Sequence, residues 1–104
     1  MPTIEFIGLG WADTRGLSES FNTRLRKELK EKEPEIAKDT VMVNYPESTV
    51  TDCDGNSKPF VRIWTISDER FEKIKQIIEG LTSTIDIEHA QMKNFFPATK
   101  QQDS

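Results

Sequence analysis

The sequence predicts an α+β domain in which a tandem β-α-β repeat forms one four-stranded sheet with two helices on one face. Three observations predict it. Two segments match, Pro2-Thr3-Ile4-Glu5-Phe6-Ile7-Gly8-Leu9 and Pro59-Phe60-Val61-Arg62-Ile63-Trp64-Thr65-Ile66, so that Ile4 falls on Val61, Phe6 on Ile63 and Leu9 on Ile66. Each begins with a proline, whose missing N–H costs least at the start of a strand. Each is followed by a stretch with helical spacing and then by a second strand-like stretch. Residues 1–97 are read as a single domain and 98–104 as a polar, disordered tail.

The first strand is expected from about Thr3 to Leu9, followed by a loop through Gly10 and Gly16. The first helix should start near Ser18 or a few residues earlier, because Leu17, Phe21, Leu25 and Leu29 recur every fourth residue. Glu33-Pro34 should end it, since a residue before proline avoids the α region. The second strand is Thr40 to Tyr45, resuming after Pro46 through Val50. The Asp54-Gly55-Asn56 stretch within Asp52 to Lys58 predicts a turn that closes a hairpin. The third strand runs from about Pro59 to Ile66. Ser67 caps the second helix, with Asp68 and Glu69 in its first turn. Phe71, Ile74, Ile78 and Leu81 form its apolar face, and Gly80 stands where a left-handed terminating residue would help. In the fourth strand Ile85, Ile87 and His89 alternate with Asp86 and Glu88. If Ile4, Phe6, Val61 and Ile63 face the helices, then Thr3, Glu5, Ile7, Phe60, Arg62 and Trp64 face the other way. That mixture is too apolar for open water and points to a covering partner chain.

Bulk properties narrow the function. A chain of 104 residues holds one core of ordinary size. No apolar run approaches the roughly 20 residues of a membrane span, and no leader pattern is visible, so no membrane association is expected. The single cysteine, Cys53, suits a reducing compartment, and a cytoplasmic location is expected. A net charge of −4 argues against a phosphate-binding surface, and no nucleic-acid partner is expected.

Met1-Pro2, the tandem halves and the Ser57-Lys58-Pro59 opening of the second half resemble the tautomerase superfamily, which includes 4-oxalocrotonate tautomerase and macrophage migration inhibitory factor. The two-repeat layout looks like its trimeric long-chain members, and the Pro59-Phe60-Val61 strand looks like an uncharacterised bacterial branch. The resemblance covers most of Pro2 to about Phe96. It implies a homotrimer with pockets between subunits, no cofactor, and an isomerase reaction on a small keto or enol acid. Pro2 would be the catalytic residue, a general base or acid moving a proton between carbon and oxygen. Nearby cations would hold the substrate carboxylate.

The residues themselves support part of this. An amine buried among apolar groups loses solvation that favours its charged form, which makes a free Pro2 a base suited to proton abstraction beside a carbonyl. While Met1 remains attached the Pro2 nitrogen is an amide and cannot act so. Proline at position two could instead do no more than start a strand. Arg62 and Arg15 are the candidate carboxylate holders, by two-point hydrogen bonding, and Lys38 is a further one. Arg62 could instead form a cross-strand or intersubunit ion pair with Glu5. Arg24 and Arg26 belong to a run with i,i+4 pairs, Arg24 to Glu28 and Lys27 to Glu31, and read as a solvated helix face. Trp11, Tyr45, Trp64, Phe95 and Phe96 could wall a pocket for a planar substrate, or serve only in packing.

His89 stands without a second ligand at metal spacing, so no metal site is expected. Asp52 and Asp54 flank Cys53 and oppose a thiolate, so it is not read as a nucleophile. Two rival readings remain: a tautomerase-fold oligomer without catalysis, and an RNA-recognition motif. The latter's longer signature wants glycines that are absent here, and Pro59 occupies a critical place in it.

Overall fold

The strands pair into one mixed sheet, and both long helices cover the same side of it. The computed structural model describes residues 2–10 and 12–91. In chain order these form β1 (Thr3–Ile7), α1 (Phe21–Lys32), α2 (Pro34–Ala37), β2 (Val41–Tyr45), β3 (Phe60–Trp64), α3 (Asp68–Leu81) and β4 (Asp86–Ala90). The expected tail at 98–104 lies outside the described residues, as do Met1, Trp11, Phe95 and Phe96. The sheet order is β2-β1-β3-β4. β1 runs parallel to β2 and β3 parallel to β4, while β1 and β3 are antiparallel at the centre.

Alternation along the central strands sorts the side chains. Ile4, Phe6, Val61 and Ile63 are fully buried. Against them pack Phe21, Leu25 and Leu29 of α1 and Ile74, Ile77 and Ile78 of α3. Burying that many branched and aromatic side chains, each worth about 1.5–3 kcal/mol, is the main stabilising term for a chain of this length. Leu17 and Phe71 lean on the same core from its rim. Asn22 of α1 is buried but satisfied, donating to the side-chain oxygen of Asn44 on β2 at 2.8 Å.

Several ends differ from expectation, each for a local reason. β1 stops at Ile7 because Gly8 turns to a φ of +79° and donates to the Tyr45 carbonyl at 3.0 Å. The first helix begins at Phe21 rather than near Ser18, since Ser20 accepts from the Thr23 amide and is the cap. Glu33 ends it as predicted. Pro34, pre-set for a first helical position, then opens the unforeseen short helix α2. No strand follows Pro46; Thr51 and Ser57 form an isolated bridge around the predicted turn, where Asp52 accepts from the Asn56 and Asp54 amides. Those bonds, the one from Asn56 foremost, hold the Asp52 carboxyl below its usual range. Ser67 caps α3 as read, accepting from the Arg70 amide at 3.2 Å. Gly80 is not a left-handed terminator: the helix continues to Leu81 and ends on extended Thr82. Arg24 pairs with Glu28, whereas Lys27 reaches back to Glu19 instead of forward to Glu31.

Gly8 provides a test of this packing. A Cβ there would lie 3.3 Å from the Ser48 carbonyl oxygen and 3.5 Å from Pro59 and Val50 side-chain carbons. Gly8→Ala should therefore lower stability by about 1–2 kcal/mol from the left-handed backbone alone. Urea unfolding checks it; an unchanged midpoint would contradict the geometry.

Candidate functional site

The outer sheet face is a grid of three rows across β2, β1, β3 and β4, fixed by register. Val41, Thr3, Trp64 and Ala90 form one row, Val43, Glu5, Arg62 and Glu88 the next, and Tyr45, Ile7, Phe60 and Asp86 the third. The middle row is charged and the flanking rows are largely apolar. Val41 and Tyr45 are among the large hydrophobic side chains most exposed on the surface.

Glu5 is the hub of the middle row. Its Oε1 accepts from Trp64 Nε1 at 2.7 Å and from the Arg62 guanidinium at 3.2 Å, and its Oε2 accepts from the Tyr45 hydroxyl at 3.2 Å. Thus the two strands flanking β1, β2 and β3, place three donors around one carboxylate. Arg62 Nε also donates to Glu88 Oε1. The guanidinium lies 5.3 Å from the Phe60 ring centroid and 5.9 Å from that of Trp64, close enough for cation–π attraction. The Glu88 hydrogen bond, together with the charges of Glu88 and Glu5, pushes the Arg62 pKa up. The hydrogen bond to Glu5 and the carboxylate's charge push the Tyr45 phenol up as well. Because the folded value is raised, the phenol is protonated and donates at neutral pH, and this bond is lost as pH rises through that value.

Replacing the hub should be felt. Glu5→Ala removes the carboxylate that accepts from the indole, the guanidinium and the Tyr45 hydroxyl, and should cost about 1–3 kcal/mol. Equilibrium urea unfolding measures it. A cost no larger than that of Glu47→Ala, an exposed loop residue, would contradict the hub role.

The predicted site residues do not converge within one chain. Pro2 is fully buried immediately before β1, shares the strand parity of Ile4 and Phe6, and accepts from the Val41 amide at 3.0 Å. Arg62 and Trp64 are on the opposite parity, on the outer face. Tyr45 is on that outer face too, but at the far end of β1. Arg15 follows that same far end of β1, near the start of α1, where Asp13 accepts from Phe21. It has a φ of +53°, and its guanidinium and amide both donate to the Asp13 carboxylate, at 2.9 and 3.1 Å. Its Nε is buried without a partner among the described residues. Lys38 is a cation at the Pro2 end of the sheet, since it lies three residues before Val41, which pairs with Thr3. Its ammonium is exposed and 3.3 Å from Glu35.

Glu5 and Glu88 were the residues that sequence reasoning did not place in a site. The strand register is the feature that finds them, since it sets both directly beside Arg62. His89, of which no metal role was expected, stacks on Phe71 with ring centroids 4.0 Å apart, and its Nε2 lies 3.0 Å from the Thr65 carbonyl oxygen. Among the described residues no group of three or more His, Cys, Asp or Glu side chains could hold a metal ion. No helix among them is long and apolar enough to cross a membrane. Cys53 is free and exposed. Compared with known proteins, the chain matches no protein-family model and none of the curated proteins.

Proposed function

We propose that this chain is a tautomerase-like isomerase built of two β-α-β halves, with Pro2 as its proton-transfer residue and a small keto or enol acid as substrate. The observation that carries the proposal is the pairing of Pro2 with Pro59. Both are buried, both immediately precede a central strand, and those strands meet antiparallel while each runs parallel to the strand beyond its own helix. Burial also serves the chemistry, because a free secondary amine in an apolar setting has a lowered pKa and takes a proton near neutrality.

Pro2 lies at one end of the sheet, Arg15 at the other, and Arg62 on the outer face. A pocket joining proline to arginine therefore requires a second chain, and the partly apolar outer face offers the surface for one. The same face speaks against single-stranded RNA, since Glu5, Glu88 and Asp86 outnumber Arg62 there. Adjacent parallel β1 and β2 also differ from the split β-α-β of RNA-recognition folds.

A non-catalytic oligomer is the second reading. It is favoured by one observation, that Arg62 and Arg15 already bond to the chain's own carboxylates.

Light scattering should give a trimer, three chains of 12.0 kDa each; a monomer at micromolar concentration would remove the shared pocket. Intact mass shows whether Met1 has left Pro2 free. With Pro2 free, ketonisation of phenylenolpyruvate faster than in buffer is the outcome that supports catalysis. A rate equal to buffer would leave the non-catalytic reading.

A further inference from the structure

We propose that the groove between α1, α2 and the outer edge of β2 binds a small organic anion. Arg26 and Lys30 would hold its carboxylate, and its apolar body would rest on Leu29, Ala37 and Met42. The groove has a volume of about 270 Å³ and is lined by these five residues and Thr40. It lies apart from the outer-face cluster around Glu5, and the inference does not rest on the proposed isomerase activity.

Charge on α1 is the first support. Arg15, Arg24, Lys27, Lys32, Lys38, Arg62, Arg70 and Lys73 each have an acidic partner. Arg26 and Lys30 have none among the described residues, nor do Lys58 and Lys75, which lie outside the groove. Arg26 and Lys30 stand one helical turn apart, an i,i+4 pair of like charge that destabilises a helix unless an anion lies between them. The positions one turn from Arg26 are Asn22, Thr23, Leu29 and Lys30, which include no acid. The one acid a turn from Lys30 is Glu33, and its carboxylate is turned to Lys73 at 3.7 Å.

The floor is the second support. Leu29 is buried in the core beneath, and Met42 and Ala37 are half-buried against the same core. Thr40 adds no competing donor, because its hydroxyl is engaged with the Ile36 carbonyl at 2.7 Å. A second groove of about 220 Å³, lined by Lys30, Pro34, Ala37 and Lys38, adjoins the first through Lys30 and Ala37. The α1 wall carries Arg26 and Lys30, Lys38 stands at the end of α2, and apolar residues lie between them. That combination selects a ligand with a charged head and a hydrocarbon or aryl body over a bare inorganic ion.

Titration of the full chain with hexanoate, followed by amide chemical shifts, tests the inference; hexanamide and inorganic phosphate are the comparisons. Hexanoate is expected to move the amides of Leu29, Ala37 and Met42, to saturate by about 10 mM, and to bind at least about tenfold tighter than either comparison. Arg26→Glu with Lys30→Glu should abolish the shifts while far-ultraviolet circular dichroism remains that of the wild type. Both side chains are exposed and make no internal bond, so the fold does not depend on them. Any of three results overturns the inference: no shifts at about 10 mM hexanoate, equal binding of phosphate or hexanamide, or unchanged hexanoate binding by the folded double variant. Should that variant lose its folded spectrum, Lys30→Gln replaces it, and unweakened binding by Lys30→Gln is then the overturning result.

Discussion

Phe6→Ala is expected to cost about 3–5 kcal/mol of folding stability. Phe6 is fully buried at the centre of the sheet, opposite Val61 on β3 and Asn44 on β2. Its ring meets Phe21 of α1 edge-on, with centroids 6.0 Å apart and planes at 73°. Truncation removes the ring's transfer energy and that aromatic contact, and leaves a cavity between sheet and helix that neighbouring strands cannot close. Domains of this size are stable by about 5–15 kcal/mol in all, so the variant should be largely unfolded in mild denaturant. Phe60→Ala, on the half-open outer face, should cost clearly less in the isolated chain. Urea midpoints compare the two, and equal losses would contradict the assignment of inner and outer faces.

That assignment was legible in the sequence because it rests on period-two alternation, and the apolar set of each strand must face the core. Ile4 and Phe6 matched to Val61 and Ile63 correctly named the inner face, and the fourfold spacing from Phe21 to Leu29 correctly named the buried side of α1. Ser67 was legible as a cap for a similarly local reason. Gly80 was misread because a glycine near a helix end does not itself choose the left-handed state; here Leu81 still packs on the core and carries the helix one residue further. Leu9 and Ile66 matched in sequence but part company in space, one buried and the other exposed. Once strands end, the following loops set their own direction. The hub at Glu5 was half legible. Its pairing with Arg62 could be foreseen as one alternative, but the bonds from Tyr45 and Trp64 depend on which strands lie on either side of β1.

Pro2→Ala is the substitution with the largest expected functional effect. In the proposed reaction the neutral secondary amine takes a proton from the enol acid and returns it to carbon, while a guanidinium or ammonium steadies the charge on the enolate. Alanine leaves a primary amine without the ring that fixes its nitrogen, and turnover should fall by about 10²-fold or more. Its burial before β1 rather than within it limits the structural cost, so the variant should remain folded and its circular dichroism should match the wild type. Arg62→Ala or Arg15→Ala should act differently, raising KM more than it lowers kcat if the cation serves ground-state binding. Lys38, at the Pro2 end of the sheet, should be compared in the same way.

The most direct measurement is the rate of phenylenolpyruvate ketonisation, followed by ultraviolet absorbance, for wild type and Pro2→Ala side by side. Intact mass must first show that Met1 is absent from both. The account predicts a wild-type rate well above buffer and a variant rate reduced by about two orders of magnitude. Equal rates for the two proteins would contradict the proline mechanism.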